Sequence, residues 1–133
     1  MQKLFIYILV FYSIIPCYSQ TSKEYLNKGV RKVNLQDYRG AIVDYNKAIE
    51  LNPNYADAYY NKGIAKTNLQ DYQGAIEDYN KAIELNSNFE NAYYNRGIDK
   101  IKLSLKDSGC LDLSKAGELG DKEAYDMIKK YCN

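Results

Sequence analysis

The sequence predicts an all-α protein: a right-handed α-solenoid of three helix-turn-helix units, closed by a C-terminal capping helix. Three observations predict it. LQDYRGAIVDYNKAIEL at Leu35–Leu51 returns as LQDYQGAIEDYNKAIEL at Leu69–Leu85, 34 residues later. YLNKG at Tyr25–Gly29 returns at the same spacing as YYNKG at Tyr59–Gly63 and YYNRG at Tyr93–Gly97. Within the copies, Ala41, Tyr45, Ala48 and Leu51 recur at steps of four, three and three, which is a helical stripe and not a strand alternation. A period of this length marks a stack in which each unit buries its apolar face against its neighbours.

Residues 1–19 differ from the rest. Lys3 is their only charge, Leu4 to Ile15 is almost wholly apolar, and Pro16 breaks the run. A charged start, a short apolar core and a small residue before the cut describe a secretory signal peptide. Cleavage is expected after Ser19, leaving Gln20 first and a mature domain over 20–133. The run of about a dozen residues falls short of the roughly 20 that a membrane span needs. Anchoring by an uncleaved start, or by acylation of Cys17, stays open as an alternative to a periplasmic or extracellular product. Heavy use of Lys, Asn, Tyr and Ile fits a bacterial coding sequence.

Three repeats are expected over about 22–55, 56–89 and 90–123. In the first, helix A covers about 22–35 with Ser22 capping its first turn. Helix B covers about 38–51, after the polar break Asn34–Asp37, and Pro53 stops it. The second repeat places helices over about 56–69 and 72–85. The third places them over about 90–103 and 106–118, with Asp112, Lys115, Ala116 and Leu119 where the second has Asp78, Lys81, Ala82 and Leu85. A last helix, about 121–132, carries Ala124, Met127, Ile128 and Tyr131 on one face.

Composition excludes several functions. Lys and Arg total 18 against 17 Asp and Glu, so nothing favours binding of nucleic acid through its phosphates. There is no His, and the three Cys form no CxxC pattern, which speaks against zinc and against imidazole catalysis. No nucleophile elbow, phosphate loop or metal-ligand cluster occurs. The chain is therefore expected to be no enzyme, with no cofactor, no metal and no small-molecule substrate. Asp44/Lys47 and Asp78/Lys81 recur with the repeat and are expected to be exposed i,i+3 pairs.

Tyr25, Gly29, Ala41, Tyr45, Ala48 and Pro53 in the first repeat make a pattern that resembles the tetratricopeptide repeat family. Tyr59, Gly63, Ala75, Tyr79 and Ala82 carry it in the second repeat, and Tyr93, Gly97 and Ala116 in the third, where Gly109 and Leu113 are tolerated substitutes. The small residues let helices approach closely, and Tyr45 and Tyr79 fill the gap to the next repeat. Lys28 and Lys62 depart from the family's usual Leu. Lys32, Lys66 and Lys100 depart from its usual large aromatic, and Ser87 from its closing Pro.

The resemblance implies a non-catalytic module that holds a peptide or helix of another protein on the concave face of its A helices. Leu26, Tyr60 and Tyr94 would form one row, Val30, Ile64 and Ile98 a second. Asn27, Asn61 and Asn95 would lie alongside, with Asn34, Asn68 and Lys102 further along. Adjacent helical residues point about 100° apart, so Tyr59 and Tyr93 are assigned to the core and Tyr60 and Tyr94 to the groove. Packing of these side chains against neighbouring A helices is the alternative. A carboxylate clamp of the kind some family members use is not expected, because the matching positions hold Leu26, Val30, Asn61, Asn91 and Asn95, without a cation. A structural role in an envelope assembly, with weak self-association, is the rival function.

Loss of Cys17 with the leader would leave Cys110 and Cys132. An even pair in an exported chain suggests a disulfide, contributing roughly 3 kcal/mol by loop closure. A buried free Cys110 beside an unpaired Cys132 is the alternative.

Overall fold

The computed structural model describes residues 21–133. Among them it contains helices and turns and no strand. The helices are α1 (21–34), α2 (Tyr38–Leu51), α3 (Ala56–Asn68), α4 (Tyr72–Leu85), α5 (Glu90–Lys102), α6 (Lys106–Glu118) and α7 (Glu123–Tyr131). From α2 onwards each packs against the next, and α3 also touches α5. The odd-numbered helices thus line one face of an α-solenoid. The expected cleavage at Ser19 and Gln20 lies outside the described residues.

The turns inside the repeats share one design. Gln36, Gln70 and Ser104 adopt positive φ of 62°, 62° and 64°. The next residue then caps the B helix: Asp37 accepts from the Gly40 N–H at 2.9 Å, and Asp71 from the Gly74 N–H at 3.0 Å. The third repeat has Leu105 there and no side-chain cap. Between repeats, Asn52 and Asn86 side chains accept from the N–H of Asn54 and Asn88 at 3.2 Å. This asparagine turn is the same with Pro53 or Ser87 in it.

The core is small residues against tyrosine. Ala41, Tyr45, Ala48, Ala75, Tyr79, Ala82, Leu113 and Ala116 are fully buried. A Cβ added at Gly29 would run into the Tyr45 ring, and one at Gly63 would come within 2.5 Å of the Tyr79 ring. In the third repeat, Gly97 and Gly109 face each other; a Cβ on Gly109 would lie 2.7 Å from the Gly97 carbonyl oxygen. Burial raises the Tyr45 hydroxyl to a pKa of about 12, helped by the charge of Asp44. Among the described residues the Tyr45 hydroxyl has no hydrogen-bond partner, whereas Tyr79 Oη lies 3.0 Å from Thr67 Oγ1; the position one repeat before Thr67 is Val33.

Two expectations need correction. Ser22 lies inside α1 and ties it to the next helix: it is buried, and its Oγ donates to the Ala48 carbonyl of α2 at 2.9 Å. Asp44 and Asp78 are not exposed partners of Lys47 and Lys81, which instead reach Glu50 at 3.2 Å and Glu84 at 3.1 Å. Asp44, Asp78 and Asp112 are buried and meet cations from the A helices. Lys32 lies 2.7 Å from Asp44. Lys62 and Lys66 lie 3.1 and 2.8 Å from Asp78. Arg96 grips both oxygens of Asp112 at 2.6 and 2.8 Å, and Lys100 adds a contact at 2.8 Å. Lys32, Lys62, Lys66 and Lys100, which stand where the family has apolar residues, are therefore partners for buried carboxylates, whose burial costs far less when they are paired.

Candidate functional site: the face of the A helices

Leu26, Val30, Ile64, Tyr94 and Ile98 reach this face from α1, α3 and α5. Leu26, Ile64, Tyr94 and Ile98 are half-buried, and Val30 is 37% exposed. Leu26 packs on the cluster of Ala41, Tyr45 and Ala65, so only part of it faces outwards. Tyr60 is committed to packing: its ring centroid lies 4.6 Å from that of Phe89 and 6.0 Å from that of Tyr79. Its hydroxyl accepts from the Asn95 side chain at 3.0 Å. Tyr59 and Tyr93, assigned to the core, are half-buried and carry Lys62 and Arg96 over their rings at 5.6 and 5.3 Å.

The amide edge is partly spent within the helices. Asn61 donates to the Asp57 carbonyl at 2.7 Å and Asn68 to the Ile64 carbonyl at 2.9 Å. Asn27, Asn34 and Asn68 remain exposed. Each amide keeps an acceptor oxygen and a second N–H for a ligand.

At the α5 end the face deepens into an open concavity of about 520 Å³. Glu90, Asn91, Tyr94 and Asn95 form one wall and residues 120–123 the other. Burial raises the Tyr94 hydroxyl, and the charges of Glu123 and Asp121 raise it further. Asp121 also caps α7, accepting from the N–H of Glu123 at 2.9 Å. Sequence reasoning missed the second wall because it places residues 121–123 in a capping helix. The only signal was Gly120, whose φ of 115° turns the chain back towards α5.

The structure brings Cys110 and Cys132 together as a disulfide, with Cα atoms 5.9 Å apart. Among the described residues no three His, Cys, Asp or Glu side chains gather as a metal site, and no helix is long and apolar enough to cross a membrane.

A family model described as tetratricopeptide repeat matches residues 56–89, and another described as TPR repeat matches residues 31–69. Residues 31–89 thus match tetratricopeptide repeats. No curated protein matches the chain. Among solved structures, the first TPR of Spaghetti (RPAP3), bound to the HSP90 peptide SRMEEVD, is 26% identical. It aligns over 86% of this chain and 92% of its own at a TM-score of 0.83. The Arabidopsis OM64 TPR domain is also 26% identical, over 86% of this chain and 96% of its own, at 0.83. MamA is 30% identical over 79% of this chain and 61% of its own, at 0.73, so this chain spans about three fifths of that protein.

Proposed function

We propose that the protein is a non-catalytic interaction module that holds a peptide or helix of a partner protein on the face of α1, α3 and α5. The observation that carries this reading is the row of incompletely buried apolar side chains, Val30, Ile64, Ile98 and Tyr94, which runs into the concavity beside Asn91 and Asn95. Apolar anchors bordered by amides suit a peptide, whose side chains need pockets and whose backbone needs donors and acceptors. The peptide-bound RPAP3 domain has the same fold, which supports a peptide as the occupant. It does not extend to an acidic C-terminus. The concavity carries Glu90, Asp121 and Glu123 against one cation, Lys122, and such walls repel carboxylates.

A phage-displayed library of random peptides, selected on the full chain, tests the reading. Peptides recovered should lose at least tenfold in affinity for Tyr94→Ala and for Val30→Arg, and change less than twofold for Leu111→Ser on α6, which is 73% exposed. Equal loss for all three variants, or none, overturns the groove. Tyr60→Ala is a poor probe, because it also removes the contacts with Phe89, Tyr79 and Asn95.

A further inference from the structure

We propose that the Cys110–Cys132 disulfide is a redox latch on the groove. Oxidised, it holds α7 on α6 so that residues 121–123 wall the concavity beside Tyr94; reduced by a dithiol, it releases α7 and opens that end. The proposal rests on the groove reading and names its regulation.

α7 has nine residues, fewer than the roughly 12–15 at which an isolated helix persists in water. Its docking is thin. Ala124 is its one buried residue, and Tyr125 and Tyr131 are 52% and 37% exposed. It packs on α6, and the bond ties Cys132, just past its last turn, to Cys110 in the first half of that helix, a separation of 22 residues. Of the wall opposite Glu90, Asn91, Tyr94 and Asn95, Glu123 opens α7 and residues 120–122 lead directly into it. Freeing α7 therefore takes Glu123 out of that wall and loosens the link that leads into it, while Gly120 and Asp121 stay bonded to the Gly117 and Ala116 carbonyls and α5 keeps its packing on α4 and α6.

The chemistry is ordinary thiol–disulfide exchange. A reductant thiolate attacks one cysteine sulfur, forms a mixed disulfide and expels the other cysteine as a thiolate, which takes a proton. The reductant's second thiol then displaces the first cysteine. Two electrons and two protons reach the protein, and the reductant leaves as its own disulfide. Both cysteines are only half-buried, within reach of a small dithiol.

Amide hydrogen exchange on the full chain, with and without dithiothreitol, is the test. The oxidised protein should take up no alkylating agent at Cys110 or Cys132. On reduction, exchange in 123–131 should accelerate at least tenfold and in 90–95 a few-fold, while 56–85 stays within twofold. The double variant Cys110→Ser/Cys132→Ser should show the reduced pattern without reductant. Free thiols in the air-oxidised chain, unchanged exchange in 123–131, or acceleration of all helices together would each overturn the latch. Affinity of a selected groove peptide separates the two readings. If α7 is released and a Tyr94-dependent peptide binds unchanged, the latch does not govern the groove, and the groove reading stands. If no peptide depends on Tyr94 or Val30, the groove reading fails first and this regulation with it.

Discussion

Asp99 is a residue in an unexpected place. One repeat earlier its position is Ala65, fully buried, and Asp99 itself is 1% exposed. Thr67 Oγ1 donates to its Oδ2, while Oδ1 has no partner among the described residues. Burial pushes the carboxyl's pKa up, against the Thr67 bond and the Lys102 charge, which pull it down. A carboxyl that binds its proton more tightly when folded contributes its full stability below the unfolded value of about 3.9, and loses it as pH rises through the folded pKa. Asp99→Asn should therefore stabilise the protein at pH 7 by about 1 kcal/mol. That advantage should shrink as pH falls towards 4, in paired urea melts of variant and wild type; a constant gap would mean that Asp99 does not titrate in this window. Gly63 poses a simpler question. Its missing Cβ is the space occupied by the Tyr79 ring, so Gly63→Ala should cost about 1–3 kcal/mol by overpacking, read from the urea midpoint.

At the scale of the element, the third A–B turn is the odd one. Asp37 and Asp71 cap their helices across a glycine three residues on, and a Cβ at Gly74 would meet Asp71 Oδ2 within 2.3 Å by geometry alone. The third repeat has Leu105 and Ser108 at those places. Leu105→Asp alone should gain little, and Leu105→Asp in a Ser108→Gly background should gain about 1 kcal/mol more, the usual worth of a cap. A double-mutant cycle of thermal melts checks the coupling, and additivity would count against it. The helices themselves were legible in the chain, because a 34-residue period and a stripe such as Ala41, Tyr45 and Ala48 fix both length and face. The partners of Asp44 and Asp78 were not. In one dimension Lys47 and Lys81 lie three residues away on the same helix, whereas the true partners, Lys32 and Lys66, come from the preceding helix and become neighbours only once two helices have crossed. The candidate groove was legible in its A-helix rows. Tyr60's packing on Phe89 and the wall at 121–123 depended on contacts between residues some thirty apart in the chain that no local pattern encodes.

Across the whole molecule, the buried ion pairs strengthen from one end to the other. Among the described residues Asp44 pairs with Lys32 alone, Asp78 with two lysines, and Asp112 with Lys100 and a two-pronged Arg96. Lys62 also reaches back to Asn46 of the preceding repeat at 3.3 Å, and Arg96 to Asn80 at 2.8 Å. Lys28, at the same place in the first repeat, lies instead over the ring of Tyr25 at 4.8 Å. Asp112→Ala strands two cations that are 15% and 16% exposed and should cost about 3 kcal/mol. Asp44→Ala strands one that is 39% exposed and should cost clearly less, by urea midpoints of the two variants. Equal losses would mean that the pairs contribute alike along the stack. The gradient gives the protein a soft front and a hard back. A protease grazing on partly opened molecules should strip α1 and α2 first and stall at the disulfide-closed remainder, leaving a ladder of fragments that share one carboxyl end.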